Sequence, residues 1–166
     1  MKERFNKIEQ QLLNEGFEFE RKDLNRPWGG FWVIDEQFAP KFIRDYFPEL
    51  PEGLILKNQK VSPKILLVTP NKRLSWQYHF RRKEIWKVVE GTVGIIRSMT
   101  DEENPMAVYE KGRMLTMDLQ ERHRLIGLDS WGVIAEIWIH TDPSQPSDED
   151  DIVRLQDDFK RKTPIV

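Results

Sequence analysis

The sequence from residue 54 to residue 140 is a succession of short apolar runs separated by turn residues, and this rhythm constrains the fold more than any other feature. Several short strands at such a spacing are typical of an antiparallel sandwich or barrel. We therefore expect a mainly β core. The runs that we predict to be strands are 54–56, 64–69, 74–80, 84–90, 92–98, 107–109, 113–119, 123–128 and 132–140.

Both ends of the chain show helical rather than strand periodicity. Residues 3–15 place apolar side chains three and four positions apart, which is the pattern of an amphipathic helix. Gly16 then suits the left-handed position at which a helix ends. Residues 148–162 are charged and carry apolar residues at the same spacing, so we predict a second terminal helix there.

The length of 166 residues fits a single domain, which we place at 1–166. Residues 1–25 form its N-terminal helix and strand, and residues 37–63 are interpreted as an insertion with a short helix at 40–50. Exposed apolar patches usually mark contacts, so the insertion is expected either to shape access to a site or to form a homodimer interface. The alternative is that its helix packs on the outer wall of the barrel. The aromatic residues at issue are Phe38, Phe42, Tyr46 and Phe47.

Composition excludes several functional classes. The chain has no cysteine, which removes disulfides, thiolate zinc sites and a cysteine nucleophile. It has 26 Lys and Arg against 28 Asp and Glu, a balance that argues against nucleic-acid binding. No apolar run is long enough to cross a membrane, and the charged N-terminus does not resemble a signal peptide. We therefore expect a cytoplasmic protein that binds neither nucleic acid nor a membrane.

Polar residues inside the predicted strands suggest a metal site. Gln77 and His79 are two residues apart, so their side chains point to the same face of a strand. Glu84 opens the next strand after a short basic turn, where a hairpin brings it beside them, and His123 opens a later strand. Two imidazoles, a carboxylate and an amide oxygen are suitable ligands for one divalent metal. A hydrogen-bonded role without metal is about equally compatible with the spacing.

A family resemblance covers residues 26 to 162. The pattern Gln77-x-His79-x4-Glu84-x6-Gly91 resembles the first motif of the cupin superfamily, with Gln in place of the first His, and His123 fits the second motif. More narrowly, the chain resembles the type II mannose-6-phosphate isomerase family, which is the C-terminal cupin domain of bifunctional guanylyltransferase/isomerase enzymes. The segments that carry this resemblance are Arg26-Pro-Trp-Gly29, Leu74-Ser-Trp-Gln-Tyr-His79, Arg82-Lys-Glu-Ile-Trp86, Val88-Val-Glu-Gly91, His123-Arg-Leu125, Glu149-Asp-Asp-Ile-Val-Arg154 and Asp157-Asp-Phe-Lys-Arg161.

The resemblance implies a cupin-type antiparallel β-barrel, or jelly roll, with terminal helices. It also implies a metal-dependent sugar-phosphate isomerase that interconverts mannose 6-phosphate and fructose 6-phosphate. The expected cofactor is one divalent ion, with zinc first and manganese, cobalt, nickel or iron as alternatives. Because few residues precede Arg26, we expect no guanylyltransferase activity.

The reaction requires a base and cationic groups in addition to the metal. We assign catalytic roles to Glu136, which alternates with apolar residues on the last strand, and to Arg154. The substrate phosphate should be held by cations, for which Arg82, Lys83 and Arg161 are the candidates.

Two other functions remain open on the sequence. One is an isomerase or epimerase for another sugar, and the other is a non-catalytic cupin module that binds a metal and a carbohydrate. A non-haem iron dioxygenase is disfavoured, because such sites use two His and one carboxylate, or three His, and Gln77 would be an unusual addition. The fold alone does not choose among these functions.

Overall fold

The computed structural model describes residues 1–50 and 60–161, which form two helices and eleven strands with one short 3₁₀ turn. The helices are α1 (Lys2–Asn14) and α2 (Ala39–Tyr46), and the 3₁₀ turn is Glu36–Phe38. The strands are β1 (Phe19–Arg26), β2 (Gly29–Ile34), β3 (Val61–Val68), β4 (Trp76–Tyr78), β5 (Arg82–Glu90), β6 (Thr92–Ser98), β7 (Ala107–Glu110), β8 (Met114–Met117), β9 (Arg122–Gly127), β10 (Gly132–His140) and β11 (Val153–Gln156).

All strand pairs within the described residues are antiparallel and form two facing sheets. The first sheet has the order β1-β2-β3-β10-β5-β8, and the second has the order β11-β4-β9-β6-β7. The prediction of a mainly β, antiparallel jelly roll is therefore confirmed. The predicted strand at 54–56 lies outside the described residues. The other predicted strands all occur, with the predicted ends for 92–98 and 132–140 and with shifted ends for the rest.

The central strands of the first sheet are buried on both faces. On β10, Val133, Ala135 and Ile137 pack in the cluster that also contains the buried residues of the helices, whereas Ile134 belongs to the cluster between the sheets. A strand that is covered on both faces has a nearly continuous apolar sequence, and residues 132–140 show this pattern. Glu136 shares the inner face with Ile134 and is therefore carried into the interior.

The N-terminal helix forms as predicted, and it covers the outer face of the first sheet. Phe5, Ile8 and Leu12 are its buried residues, and the ring of Phe5 lies 5.9 Å from that of Trp32 on β2. Gly16 has a φ of +83°, the left-handed conformation expected after a helix.

The aromatic residues of the insertion pack on their own barrel. Phe42 and Phe47 are almost completely buried, and Phe42 lies 5.7 Å from Phe17 between ring centroids. The structure therefore supports the packing alternative for α2 rather than an aromatic surface available for a second subunit. Residues 51–59 of the predicted insertion lie outside the described part of the chain.

The predicted C-terminal helix at 148–162 is wrong. Val153–Gln156 instead forms β11, an edge strand that pairs with the short strand β4. Two aspartates explain the difference, because Asp side chains that bond nearby backbone amides favour turns over helices. The Asp148 carboxylate accepts hydrogen bonds from the backbone N–H groups of Asp150 and Asp151, and Asp157 accepts one from Arg161.

The packing of α2 leads to a stability prediction. Phe42→Ala should lower the free energy of unfolding by about 3–5 kcal/mol, because it leaves a cavity in a completely buried aromatic cluster. Phe80→Ala is the matched control, since Phe80 is 42% exposed and its loss should cost less than about 1 kcal/mol. Urea unfolding of both variants measures the difference, and similar losses would contradict this account of the insertion.

Candidate metal centre and inner cavity

Three ligand-type side chains meet between the two sheets. They are His79, which follows β4, Glu84 on β5 and His123 on β9, and their ligand atoms all lie within 4.8 Å of one another. The Glu84 carboxylate lies between the imidazoles, with Oε1 3.3 Å from Nε2 of His79 and Oε2 3.4 Å from Nε2 of His123. All three residues are about 98% buried. We call this group the His–Glu–His cluster.

The hydrogen bonds on the far side of each ring orient the imidazoles. Nδ1–H of His79 donates to the carbonyl oxygen of Asp151 at 2.6 Å, and Nδ1–H of His123 donates to the carbonyl oxygen of Glu121 at 2.8 Å. A carbonyl only accepts, so Nδ1 carries the proton in each neutral ring and Nε2 keeps its lone pair. Nε2 of His123 is buried without a hydrogen-bond partner among the described residues.

The cluster fits one divalent metal ion. Two Nε2 lone pairs and one carboxylate converge on a common centre, and these are nitrogen and oxygen ligands of the kind that zinc and related ions use. The unpaired Nε2 of His123 is a second indication, because a buried polar atom without a partner is costly unless a ligand is bound. Gln77, the fourth predicted ligand, pairs with His123 across β4 and β9. Its Oε1 accepts a hydrogen bond from the Ser75 hydroxyl at 2.5 Å.

Burial and charge set the protonation of the cluster. Burial lowers the pKa of His79 well below its ordinary value, and the nearby positive charge of Arg82 acts in the same direction. Burial alone would raise the pKa of Glu84. The two imidazoles and Arg82 outweigh that effect, so this pKa lies below its usual range. Neutral His79 beside ionised Glu84 is the protonation state that a metal requires.

An inner cavity opens next to the cluster, and its lining includes Glu84 of the cluster and the neighbouring Gln77. The cavity combines aromatic walls with eight charged side chains, of which five are cationic. A cavity of this composition is suited to a small polar anion. The charged residues that line it are Arg26, Lys64, Arg82, Glu84, Glu136, Glu149, Arg154 and Arg161.

The registers of β3, β10 and β5 arrange the inner face into rows. Glu136 lies opposite Lys64 on one side and opposite Trp86 on the other, and Trp138 lies opposite Glu84. The indole N–H of Trp86 lies within hydrogen-bond distance of both carboxylates, 3.0 Å from Glu84 Oε2 and 2.8 Å from Glu136 Oε1. Trp86 therefore connects the cluster to the predicted base.

Glu136 is a buried carboxyl with an elevated pKa. Burial raises its pKa, the negative charge of Glu84 raises it further, and Lys64 and Arg82 oppose these effects, so that the pKa lies at about 8. A carboxyl group with such a pKa can both take up and release a proton near neutrality.

Lys64 and Glu149 were not identified from the sequence. The Lys64 ammonium group is buried, lies 2.5 Å from Glu149 Oε1 and sits 3.1 Å from the centre of the Trp138 ring. Burial lowers the pKa of Lys64, whereas the charges of Glu149 and Glu136 raise it. The available signal was the lone charged residue in the apolar run 61–68, because a lysine is almost never fully buried unless it is paired.

The arginines predicted from the sequence divide into two groups. Arg154 and Arg161 line the cavity together with Arg26, which had not been assigned a role. Burial lowers the pKa of Arg154, and the positive charges of Arg161 and Arg26 lower it further, so the three guanidinium groups influence one another. Arg161 is also paired with Asp157, and Arg26 with Asp23.

Lys83 does not line the cavity in the structure, and the guanidinium group of Arg82 is hydrogen-bonded to other groups of the protein. Lys83 alternates with the inward residues of β5 and contacts Asp118 on the surface at 2.9 Å. The guanidinium of Arg82 donates to Glu84, His79, the Ser147 hydroxyl and two main-chain carbonyl groups. Most of its donors are therefore used before any substrate is bound.

Comparison with solved structures supports the fold. The capsular polysaccharide assembling protein CapF from Staphylococcus aureus aligns with a TM-score of 0.51 at 17% identity, covering 82% of this chain and 34% of that chain. Oxalate decarboxylase from Lactobacillus farciminis aligns with a TM-score of 0.54 at 14% identity, covering 81% of this chain and 33% of that chain. Hazelnut (Corylus avellana) vicilin aligns with a TM-score of 0.56 at 14% identity, covering 84% and 36%. The chain thus spans about a third of the length of each of these proteins.

No curated protein sequence matches the chain. Across the described residues, no helix combines the length and apolar character that a membrane crossing demands. A family model described as the mannose-6-phosphate isomerase C-terminal domain matches residues 52–157, which is more than half of the sequence. The chain therefore belongs to the mannose-6-phosphate isomerase C-terminal family and has its cupin fold.

Proposed function

We propose that the domain is a metal-dependent sugar-phosphate isomerase that interconverts mannose 6-phosphate and fructose 6-phosphate. One observation carries the proposal: the His–Glu–His cluster adjoins a cavity that also holds a carboxyl group with a raised pKa and several arginines. Aldose–ketose isomerisation needs these three features, namely a centre that stabilises an oxyanion, a proton carrier and an anion site.

His79, Glu84 and His123 would hold the metal, and Gln77 is the proposed fourth ligand. Zinc is the first candidate, and manganese, cobalt, nickel and iron are the alternatives. When bound, a divalent ion supplies a Lewis acid that stabilises negative charge on the substrate oxygens. The tautomers of both imidazoles support this assignment, because each ring directs a lone pair rather than a proton toward Glu84.

Glu136 is the proposed proton carrier. Its carboxylate takes the proton from the carbon next to the carbonyl group, which leaves an enediolate, and returns that proton to the former carbonyl carbon, while the hydroxyl proton moves from one substrate oxygen to the other. Lys64 is a positioning residue, since its positive charge lies opposite Glu136 and favours the ionised carboxylate. Trp86 holds the Glu136 carboxylate beside Glu84 through its indole N–H.

The substrate phosphate is proposed to bind to Arg154 and Arg161, with Arg26 as a third cation. All three line the inner cavity, Arg26 from the end of β1 and the other two from the C-terminal segment. Guanidinium groups match the geometry of a phosphate dianion, and an anion among them relieves their mutual repulsion. Arg82 is left out of this site, because its donors are engaged with the protein.

Metal binding is tested by removing both imidazoles. The His79→Ala, His123→Ala double variant should lose stoichiometric metal, because one carboxylate and one amide are too few ligands for a stable site. Metal content after reconstitution and gel filtration measures this. His140→Gln is the control, since His140 bonds Ser62 and the backbone N–H of Ser147 outside the cluster. Unchanged metal content in the double variant would exclude the cluster as the binding site.

The role of Glu136 has an activity readout. Glu136→Gln should lower kcat by about a hundredfold or more with metal content retained, as expected for loss of a general base.

The substrate is identified by coupled detection of fructose 6-phosphate across a panel of aldose phosphates, with and without a chelator. Solvent deuterium should appear on the carbon next to the carbonyl group. Metal and sugar phosphate bound without exchange or product would indicate a non-catalytic binding module.

The Glu136→Gln variant, which should lower activity, is expected to raise stability. The folded state holds a proton on Glu136 between its unfolded pKa, near 4.5, and about 8, so the native protein loses stability as the pH rises through this interval. Glu136→Gln removes this loss. In the presence of a chelator, the free energy of unfolding of the variant should rise relative to that of the native protein from pH 5 to pH 8, by up to about 1.4 kcal/mol per pH unit. A difference independent of pH would show that Glu136 titrates normally.

Phosphate recognition is tested by the effect of Arg154→Gln on KM. We expect KM for the phosphorylated sugar to rise about ten- to a hundredfold, the effect of losing a charged hydrogen bond, with a smaller change in kcat. Lys83→Gln is the matched control, because Lys83 lies outside the cavity and faces Asp118. An equal change of KM for the unphosphorylated sugar would remove Arg154 from the phosphate site.

A further inference from the structure

Arg82 is the cation nearest to the His–Glu–His cluster, and it contacts two of the three cluster residues directly. Its Nε–H donates to Oε1 of Glu84 at 2.8 Å, and its NH2 group lies 3.1 Å from Nε2 of His79. Nδ1 of His79 already donates to a main-chain carbonyl, so Nε2 is the acceptor in the second contact. The guanidinium group thus binds the same lone pair that a metal would use.

The lone pair on Nε2 of His79 can serve only one partner at a time. In the structure it accepts a hydrogen bond from Arg82, and a metal ion coordinated there would have to replace that bond. Repulsion adds to the competition, because a divalent ion at the cluster would lie close to a guanidinium group in a buried, weakly screened environment. Arg82 is only 4% exposed, so water screens this repulsion poorly.

Further contacts hold Arg82 in this position. Its NH1 group donates to the Ser147 hydroxyl at 2.7 Å and to the carbonyl oxygens of Asp148 and Asp151 at 3.1 and 3.2 Å. Its guanidinium carbon lies 3.5 Å from the centre of the Trp138 ring, a cation–π arrangement. These contacts link the position of Arg82 to residues 147–151, the segment that precedes β11.

We propose that Arg82 is an internal competitor for the metal. It compensates the buried charge of Glu84 and satisfies His79 in the metal-free protein, and it withdraws from His79 when a divalent ion binds. Arg82 thereby lowers metal affinity and keeps the empty cluster ordered. The inference rests on the cluster being a metal site, as the proposed function requires.

The alternative role for Arg82 is to support metal binding, and it predicts a change of affinity in the opposite direction. If Arg82 only supports Glu84 from outside the coordination sphere, its loss should weaken metal binding by about ten- to a hundredfold, as removal of such supporting groups does. The contact between Arg82 and Nε2 of His79 reverses the sign, because it must break on binding. The direction of the change in affinity therefore distinguishes the two roles.

The experiment compares Zn²⁺ affinity, measured by competition with a chromophoric chelator, in the native protein and in Arg82→Gln and Arg82→Lys. We expect both variants to bind Zn²⁺ at least tenfold more tightly. Lysine keeps the charge but cannot reach Glu84, His79 and Ser147 together, since its ammonium group lacks the guanidinium fork. The melting temperature of the metal-free variants should fall, and Zn²⁺ should raise it by more than in the native protein.

Lys83→Gln provides the control, because Lys83 lies on the same strand but on its outer face, and its Zn²⁺ affinity should stay within twofold of the native value. Two results would overturn direct competition and leave the metal site intact. One is weaker Zn²⁺ binding by Arg82→Gln than by the native protein. The other is tighter Zn²⁺ binding by Arg82→Gln together with native affinity in Arg82→Lys. Absence of Zn²⁺ binding in all proteins would overturn both this inference and the metal site. If Arg82→Gln does not fold, Arg82→Lys alone decides the direction.

Discussion

The buried negative charge of Glu84 is the constraint on which the rest of the site depends. An ionised carboxylate in a protein interior is costly unless charges and hydrogen bonds compensate it. Here the compensation comes from the charged hydrogen bond of Arg82 and from the indole N–H of Trp86, whereas the two imidazoles direct Nε2 lone pairs toward the carboxylate. Removing any one of these groups changes the electrostatic energy of the others. The cluster therefore behaves as one electrostatic unit rather than as separate residues.

Asp151 connects this unit to the C-terminal segment. Its carbonyl oxygen accepts hydrogen bonds from His79 and Arg82, and its carboxylate accepts the backbone N–H groups of Phe80 and Arg81 and the Ser147 hydroxyl. One residue therefore orients a proposed ligand and fixes the turn that leads into β5. The segment around it has to adopt turns and a strand, and a helix at this place would remove those contacts.

The sequence was informative wherever local pattern and tertiary structure agree. Short apolar runs located most strands of the two sheets, with β11 as an exception. His79 and Glu84 do meet, as their spacing predicts, but the predicted hairpin is wrong: β4 and β5 belong to different sheets, and the two side chains approach each other across the space between the sheets. Whether Gln77 coordinates a metal remains a prediction.

The sequence was misleading where local and long-range interactions compete. Ile152, Leu155 and Phe159 have helical spacing, yet β4 needs a partner and β11 provides it. Arg82 and Lys83 are equivalent in sequence as members of a basic turn, but strand alternation sends one inward and the other to the surface. No local pattern reports which of two adjacent cations will meet a buried carboxylate.

The same alternation explains why the inner cavity is cationic although the whole chain is slightly acidic. The first sheet carries Lys64 and Arg82 on its inner face, and Arg26 comes from its edge strand, whereas Arg154 and Arg161 come from the C-terminal segment. Arg154 follows Asp151 by three residues, so the contacts that orient His79 and hold Arg82 also place a proposed phosphate ligand. The metal centre and the anion site thus share one structural support, and a change at residues 147–151 would act on both.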